Sequence, residues 1–337
     1  MSLFRILSID GGGIRGIIPA TLLTYLESCL QKNSGNKNAR LADYFDLIAG
    51  TSTGGILAAL YLTPDETHQP RYSAAEALNF YKENGSLIFH KSLWHVIKSL
   101  NGFLGARYPA TTLDELLQKF FGSLRLSELL KPCLIPSFDI KNNKAIFFNQ
   151  TDPTQQHKED FFVRHIVRAT TAAPSYFPVA EITSCENTPF TLVDGGVFAN
   201  NPTLCAYIEA HKVNNSAISP QETLILSLGT GSPLKTFNTR TLRYGGVSQW
   251  AFPLLDILLS SNAEIVHHKM KVLFDERAAS ENYLRIQTNF TNLGYPDLPL
   301  DAAKPNDINL LCALSDQLTN DYKEDLDEFS KKLIANF

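Results

Sequence analysis

The sequence predicts an α/β fold in three layers, α/β/α, around a mostly parallel central sheet. Three observations predict it. An apolar run at 3–9 leads into a glycine-rich turn at 10–16 and then an amphipathic helix pattern at 17–30. The same grammar follows at 45–49, 50–55 and 56–62. Further strand-like runs at 134–138, 145–148, 190–193, 224–228 and 283–286 are separated by helical patterns. Repeated strand–turn–helix units build parallel strands with helices on both faces.

The helical patterns fill 74–84, 92–101, 112–121, 161–171, 203–212, 250–259 and two stretches after Asn306. Thr112 and Glu115 have capping-box spacing, which sets a helix start there. No internal repeat or low-complexity linker interrupts the chain. The expectation is one domain over 1–337, with a core at 4–287 and a C-terminal helical extension at 288–337.

Composition narrows the function classes. With 337 residues, 44% hydrophobic and 19% charged, the chain can bury a large core, which excludes a disordered or fibrous protein. A net charge of −4 lacks the basic footprint of a nucleic-acid binder, so no nucleic-acid partner is expected. Cys29, Cys133, Cys185, Cys205 and Cys312 include no Cys-x-x-Cys pair and are expected as buried free thiols. The opening MSLFRILSIDGGG lacks the features of a signal peptide, so the expected location is the cytoplasm as synthesised. Signal-less secretion and transient membrane association are compatible with that. The sequons at Asn84, Asn149, Asn214 and Asn289 would then carry no sugar. Residues 47–64 lack charge, but Gly50, Gly54 and Gly55 break the run, and it reads as strand–turn–helix rather than as a membrane span.

Three glycine clusters carry the chemistry. Asp10-Gly11-Gly12-Gly13-Ile14-Arg15-Gly16 contains G-x-G-x-x-G between a strand and a helix. A dinucleotide site would also need a carboxylate at the end of the next strand, and none is there. What survives is a loop whose backbone N–H groups converge on an anion. Gly50-Thr51-Ser52-Thr53-Gly54 is G-x-S-x-G at a strand-to-helix junction, the setting of a nucleophilic serine. Leu192-Val193-Asp194-Gly195-Gly196 ends a strand on an acid beside a sharp turn. Together they supply a serine, a carboxylate base and oxyanion donors, the parts of acyl transfer, expected at one end of a parallel sheet. His211, His267 and His268 follow Asp194, and their patterns read as solvated surface. An α/β-hydrolase-type esterase with a Ser–Asp–His triad through His267 or His268 is the rival enzyme. A non-catalytic lipid-binding or storage protein is the rival outside enzymology.

ILSIDGGGIRG, GTSTGG and LVDGGVFANNP, in that order, resemble the patatin-like phospholipase family. ATTAAPSYFPV (169–179), LIPSFDI (134–140) and ILSLGTG (225–231) extend the likeness over 4–287. The resemblance implies a patatin-like fold, related to α/β-hydrolase-type nucleophile-elbow architecture. It implies a serine lipid acyl hydrolase that cleaves fatty-acyl esters of phospholipids, galactolipids or acylglycerols. Ser52 would be the nucleophile and Asp194 its partner in a dyad. Gly11, Gly12, Gly13 and Thr53 would donate to the oxyanion, and Arg15 would support the loop. No metal or cofactor is implied, and the substrate would be a membrane or micellar lipid. Residues 92–104, with Leu93, Trp94, Val96, Ile97 and Leu100 opposite Lys91 and Lys98, form either a core-packing helix with a solvated lysine face or a candidate for peripheral membrane contact. The run 250–259 either walls an acyl channel or fills the core.

Overall fold

A computed structural model describes residues 3–90, 105–150, 159–214, 217–232 and 239–336. The membrane-contact candidate at 92–104 lies outside the described residues. In chain order the elements are β1 Phe4–Ile9, α1 Ile17–Ser34, α2 Leu41–Tyr44, β2 Leu47–Gly50, α3 Thr53–Leu62, α4 Ala74–Ile88 and α5 Thr111–Phe121. Then come β3 Cys133–Asp139, β4 Lys144–Phe148, α6 Val163–Thr170, β5 Ala180–Thr183, β6 Pro189–Asp194, α7 Gly196–Ala199 and α8 Thr203–Val213. The chain continues through β7 Thr223–Leu228, α9 Thr239–Arg243, α10 Val247–Glu276, β8 Tyr283–Ile286, α11 Pro305–Asp321 and α12 Lys323–Ala335.

The sheet order is β5-β6-β3-β2-β1-β7-β8, with β4 also paired to β3. From β3 to β8 the neighbours are parallel; β4 and β6 run antiparallel to β3, and β5 antiparallel to β6. β1, β2 and β7 read as predominantly apolar runs without strict alternation because both of their faces are covered. Ile6, Leu47 and Ile225 pack under α8 and the C-terminal half of α10. Their chain neighbours Leu7, Ile48 and Leu226 join the opposite core with α1, α3, α4 and α6. This one-residue alternation between two helical layers is the three-layer architecture.

Three expectations change. β5 was hidden because it is a four-residue edge strand of alternating burial. α5 starts at Thr111 after Ala110, with no side-chain cap, so Thr112 lies inside the first turn and cannot take the extended conformation of a capping box. The capping box forms elsewhere, between Ser73 and Glu76 at the start of α4. All five cysteines are free, but only Cys29 and Cys133 are buried; the others are half-buried.

The segment expected as an extension packs onto α1. The Tyr25 hydroxyl donates to Asp327 at 2.8 Å, and Asn33 donates to Ser330 at 2.8 Å. Among the described residues no helix is long and apolar enough to cross a membrane.

Candidate active site

Ser52 stands between β2 and α3 at φ 53° and ψ −117°, a conformation strained for a residue with a Cβ. The flanking glycines make this turn possible. A Cβ on Gly50 would stand 2.1 Å from the Gly54 carbonyl oxygen, and one on Gly54 would stand 2.2 Å from that of Ile9. Both contacts are with backbone, which cannot give way. Ser52 N–H donates to Thr170 Oγ1 at 3.0 Å, and that hydroxyl donates to the Pro136 carbonyl at 2.7 Å. The Thr51 hydroxyl donates to the Ala199 carbonyl at 2.6 Å. The turn is thus held to α6 through Ser52 and to α7 through Thr51, and Thr170 in turn is held to β3.

Strand register explains how Asp194 reaches it. β3 pairs Leu134 with Ala49, so Ser137, three residues further, is level with Ser52. β6 pairs Asp194 with Ser137. The carboxylate therefore arrives on an antiparallel strand, which pairs with the part of β3 that runs beyond the end of β2. Asp194 is 4% exposed, and its Oδ1 accepts from Gly196 N–H at 2.7 Å. Burial pushes its pKa up to about 7, against the opposing effect of hydrogen bonds from Ser52 and Gly196.

Ser52 and Asp194 open onto one apolar cavity, with Gly12, Gly13 and Thr53 beside them. Ile56, Ile88, Phe89, Leu113, Leu255 and Leu259 supply much of its wall. Gly12 N–H and Gly13 N–H make no hydrogen bond among the described residues. Thr53 is the first residue of α3, where the amide has no partner within the helix. Gly11 departs from expectation. Its N–H donates to the Asn200 carbonyl at 3.0 Å, so that amide is engaged and Gly11 leaves the oxyanion set. Ile14 N–H donates to the Leu300 carbonyl at 2.9 Å, so the C-terminal segment holds the glycine loop in place.

Arg15 is buried behind the loop, outside the Ser52 cavity. It lines a polar cavity with Asp10, Asp256, His267 and Arg285. Its guanidinium lies 5.7 Å from the Phe290 ring centre, and its Nε has no hydrogen bond among the described residues. Burial lowers its pKa to about 10.

His211, His267 and His268 do not join the site. Among the described residues none lines the Ser52 cavity. His211 and His267 are half-buried rather than solvated. His211 Nδ1 accepts from Ile218 N–H at 3.0 Å, and His267 Nδ1 lies 3.1 Å from the Tyr283 hydroxyl. Burial, followed by the charge of Arg285, lowers the His267 pKa. His268 is exposed.

A residue that sequence reasoning missed stands behind the loop. Arg285, on β8, donates to both oxygens of Asp10 at 2.8 and 2.6 Å and to Ser227 Oγ at 2.9 Å. Both side chains are buried. Burial works against the Arg285 charge, and the adjacent Asp10 carboxylate outweighs it and holds the guanidinium protonated. The two residues are 275 positions apart, and nothing local links them. Arg285→Ala is expected to destabilise the fold by about 3–5 kcal/mol, because it strands a buried carboxylate at the start of the glycine loop. Urea denaturation checks this; a loss below about 1 kcal/mol would show that the pair does not anchor the loop.

With this geometry in hand, comparison with known proteins is informative. The family profile described as Patatin-like phospholipase matches residues 7–207, a span that holds the glycine loop, Ser52 and Asp194. The chain belongs to the patatin-like phospholipase family. Patatin-like protein 2 of Oryza sativa subsp. indica is 36% identical over 313 residues, covering 85% of this chain and 77% of that protein. Probable inactive patatin-3-Kuras 1 of Solanum tuberosum is 34% identical over 299 residues, covering 84% and 78%. Human GIVD cytosolic phospholipase A2 has a similar fold, with a TM-score of 0.50 at 12% identity, covering 100% of this chain and 61% of that one. Family membership supports lipid acyl hydrolysis in general terms. The name of the potato relative also shows that a likeness of this degree can extend to a protein regarded as inactive.

Proposed function

We propose that this patatin-like protein is a serine lipid acyl hydrolase that works through Ser52 and Asp194 without histidine. The observation that carries the reading is a strained serine at the mouth of an apolar cavity, beside a buried carboxylate whose pKa is about 7. In the proposed reaction Ser52 Oγ attacks the ester carbonyl carbon and passes its proton to Asp194. Negative charge develops on the carbonyl oxygen, toward the N–H groups of Gly12, Gly13 and Thr53. Collapse breaks the ester C–O bond, and Asp194 returns the proton to the departing alcohol. Water, losing a proton to Asp194, then attacks the acyl-serine; the acyl–Oγ bond breaks, Asp194 returns the proton to Ser52 Oγ, and the fatty acid leaves.

Desolvation makes the carboxylate usable. At its ordinary pKa of 3.8 it would be a poor match for a serine hydroxyl; near 7 it is a stronger base that still ionises at neutral pH. The apolar wall fits a fatty-acyl chain and supports phospholipids, galactolipids or acylglycerols as the substrate class.

Release of free fatty acid from dispersions of each lipid class, measured by mass spectrometry, tests the proposal. His267→Ala and His268→Ala are expected to keep activity within about threefold of wild type, since neither side chain lines the cavity. Loss of activity by about 10³ or more in either variant would favour the triad. No fatty acid from any class would contradict the hydrolase reading.

A further inference from the structure

One side of the Ser52 cavity is walled by helix α10, and the two faces of that helix differ. Leu255 and Leu259 face the cavity. Trp250, Leu254 and Leu258 are 38%, 49% and 40% exposed. Their spacing of four places them on one face of the helix. Residues 245–263 contain a single charge, Asp256, and it turns away from that face to line the polar cavity with Arg15. Trp250, Leu254 and Leu258 therefore form an apolar, uncharged stripe a little over two helical turns long, which is rare for a surface helix without a partner.

Basic and aromatic residues border the stripe. Arg240 and Arg243 lie on the preceding helix α9 and are exposed. Tyr244 is 84% exposed, and the Arg243 guanidinium lies 5.5 Å from its ring centre. Trp250 Nε1–H donates to the Leu242 carbonyl at 3.2 Å, tying the basic segment to the start of the apolar stripe. An uncharged face edged by Tyr, Trp and Arg matches the water–hydrocarbon boundary of an anionic lipid surface.

We infer that the outer face of α9 and α10, from Arg240 to Leu258, docks onto an anionic lipid surface, so that the helix walling the cavity also rests on the substrate. This rests on the proposed function only in making the docked surface the source of substrate; the docking itself is tested apart from hydrolysis. The helix would lie in the interface rather than cross it.

The test uses sedimentation of the full chain with vesicles of non-hydrolysable ether lipids, either purely zwitterionic or with a share of phosphatidylglycerol. Turnover of a short-chain p-nitrophenyl ester is measured in parallel. Leu254→Glu with Leu258→Glu is expected to lower binding to anionic vesicles about tenfold or more, with soluble-ester turnover retained. Arg240→Glu with Arg243→Glu is expected to lower binding about tenfold on anionic vesicles and little on zwitterionic ones. A readout that leaves this face unaltered is the fluorescence of Trp250 in a Trp94→Phe background, which should shift to the blue when vesicles are added. Unchanged sedimentation of both variants, or no shift while the protein sediments, would overturn the docking surface. So would a dimer that the leucine variant dissociates without any change in vesicle binding, since the face would then belong to a second copy. If the wild type binds vesicles through this face but shows no ester turnover, the docking stands and the hydrolase reading falls.

Discussion

Asp194→Asn is expected to lower ester turnover by about four orders of magnitude while making the protein more stable at alkaline pH. The loss follows from the carboxylate's role: an amide cannot accept the Ser52 proton, and removal of the acidic member of a serine site costs on that order. The gain follows from the same burial. The native pKa is about 7, and the ordinary value is 3.8. Because the native value is the higher one, the folded state holds the proton more tightly than the unfolded state between those limits. Stability is full below about pH 4 and falls as pH rises through 7, by on the order of 4 kcal/mol in all. Asn is neutral throughout and can still accept from Gly196 N–H, so it avoids that penalty. Thermal unfolding should show the variant melting several degrees above wild type at pH 8 and close to it at pH 4.5. An equal effect at both pH values would mean that Asp194 is not the group whose ionisation opposes folding. The same pKa predicts that wild-type kcat/KM falls about tenfold per pH unit below 7, because the base must be ionised.

Ser52→Ala carries the other large effect. It is expected to reduce turnover by about 10⁶, the scale on which loss of a serine nucleophile operates. Fold stability should change little, since alanine occupies the same strained position and the Ser52 backbone bond to Thr170 remains. Loss of the hydroxyl also removes a hydrogen bond that lowers the Asp194 pKa, so the carboxylate of this variant should titrate above 7. A residual rate within tenfold of wild type would remove Ser52 from the chemistry.

Much of the fold could be read from the sequence because its central strands are buried on both faces. β1, β2 and β7 appear as predominantly apolar runs, and the helices between them carry clear patterns. β5 escaped because a short edge strand alternates over too few residues to stand out. The clustering of Ser52 and Asp194 was legible in their glycine-rich turns, where close backbone approaches leave a mark on residue choice. What those turns could not specify is which amides remain available. Gly11 looks like its two neighbours in sequence, and only the fold shows that the Asn200 carbonyl occupies its N–H. Likewise, Arg285 sits in an ordinary strand, and its ion pair with Asp10 depends on β8 reaching the sheet beside β7. The half-burial of His267 has a similar origin, since Tyr283 comes from that same strand.

The central claim is that Ser52 is a nucleophile activated by its setting. It is tested most directly by incubating the folded protein with a fluorophosphonate probe and mapping the adduct by peptide mass spectrometry. The account predicts a single stoichiometric adduct on Ser52, formed faster as pH rises through about 7 and slowed strongly in Asp194→Asn. A folded protein that takes up no probe, or takes it up at another residue, would contradict it.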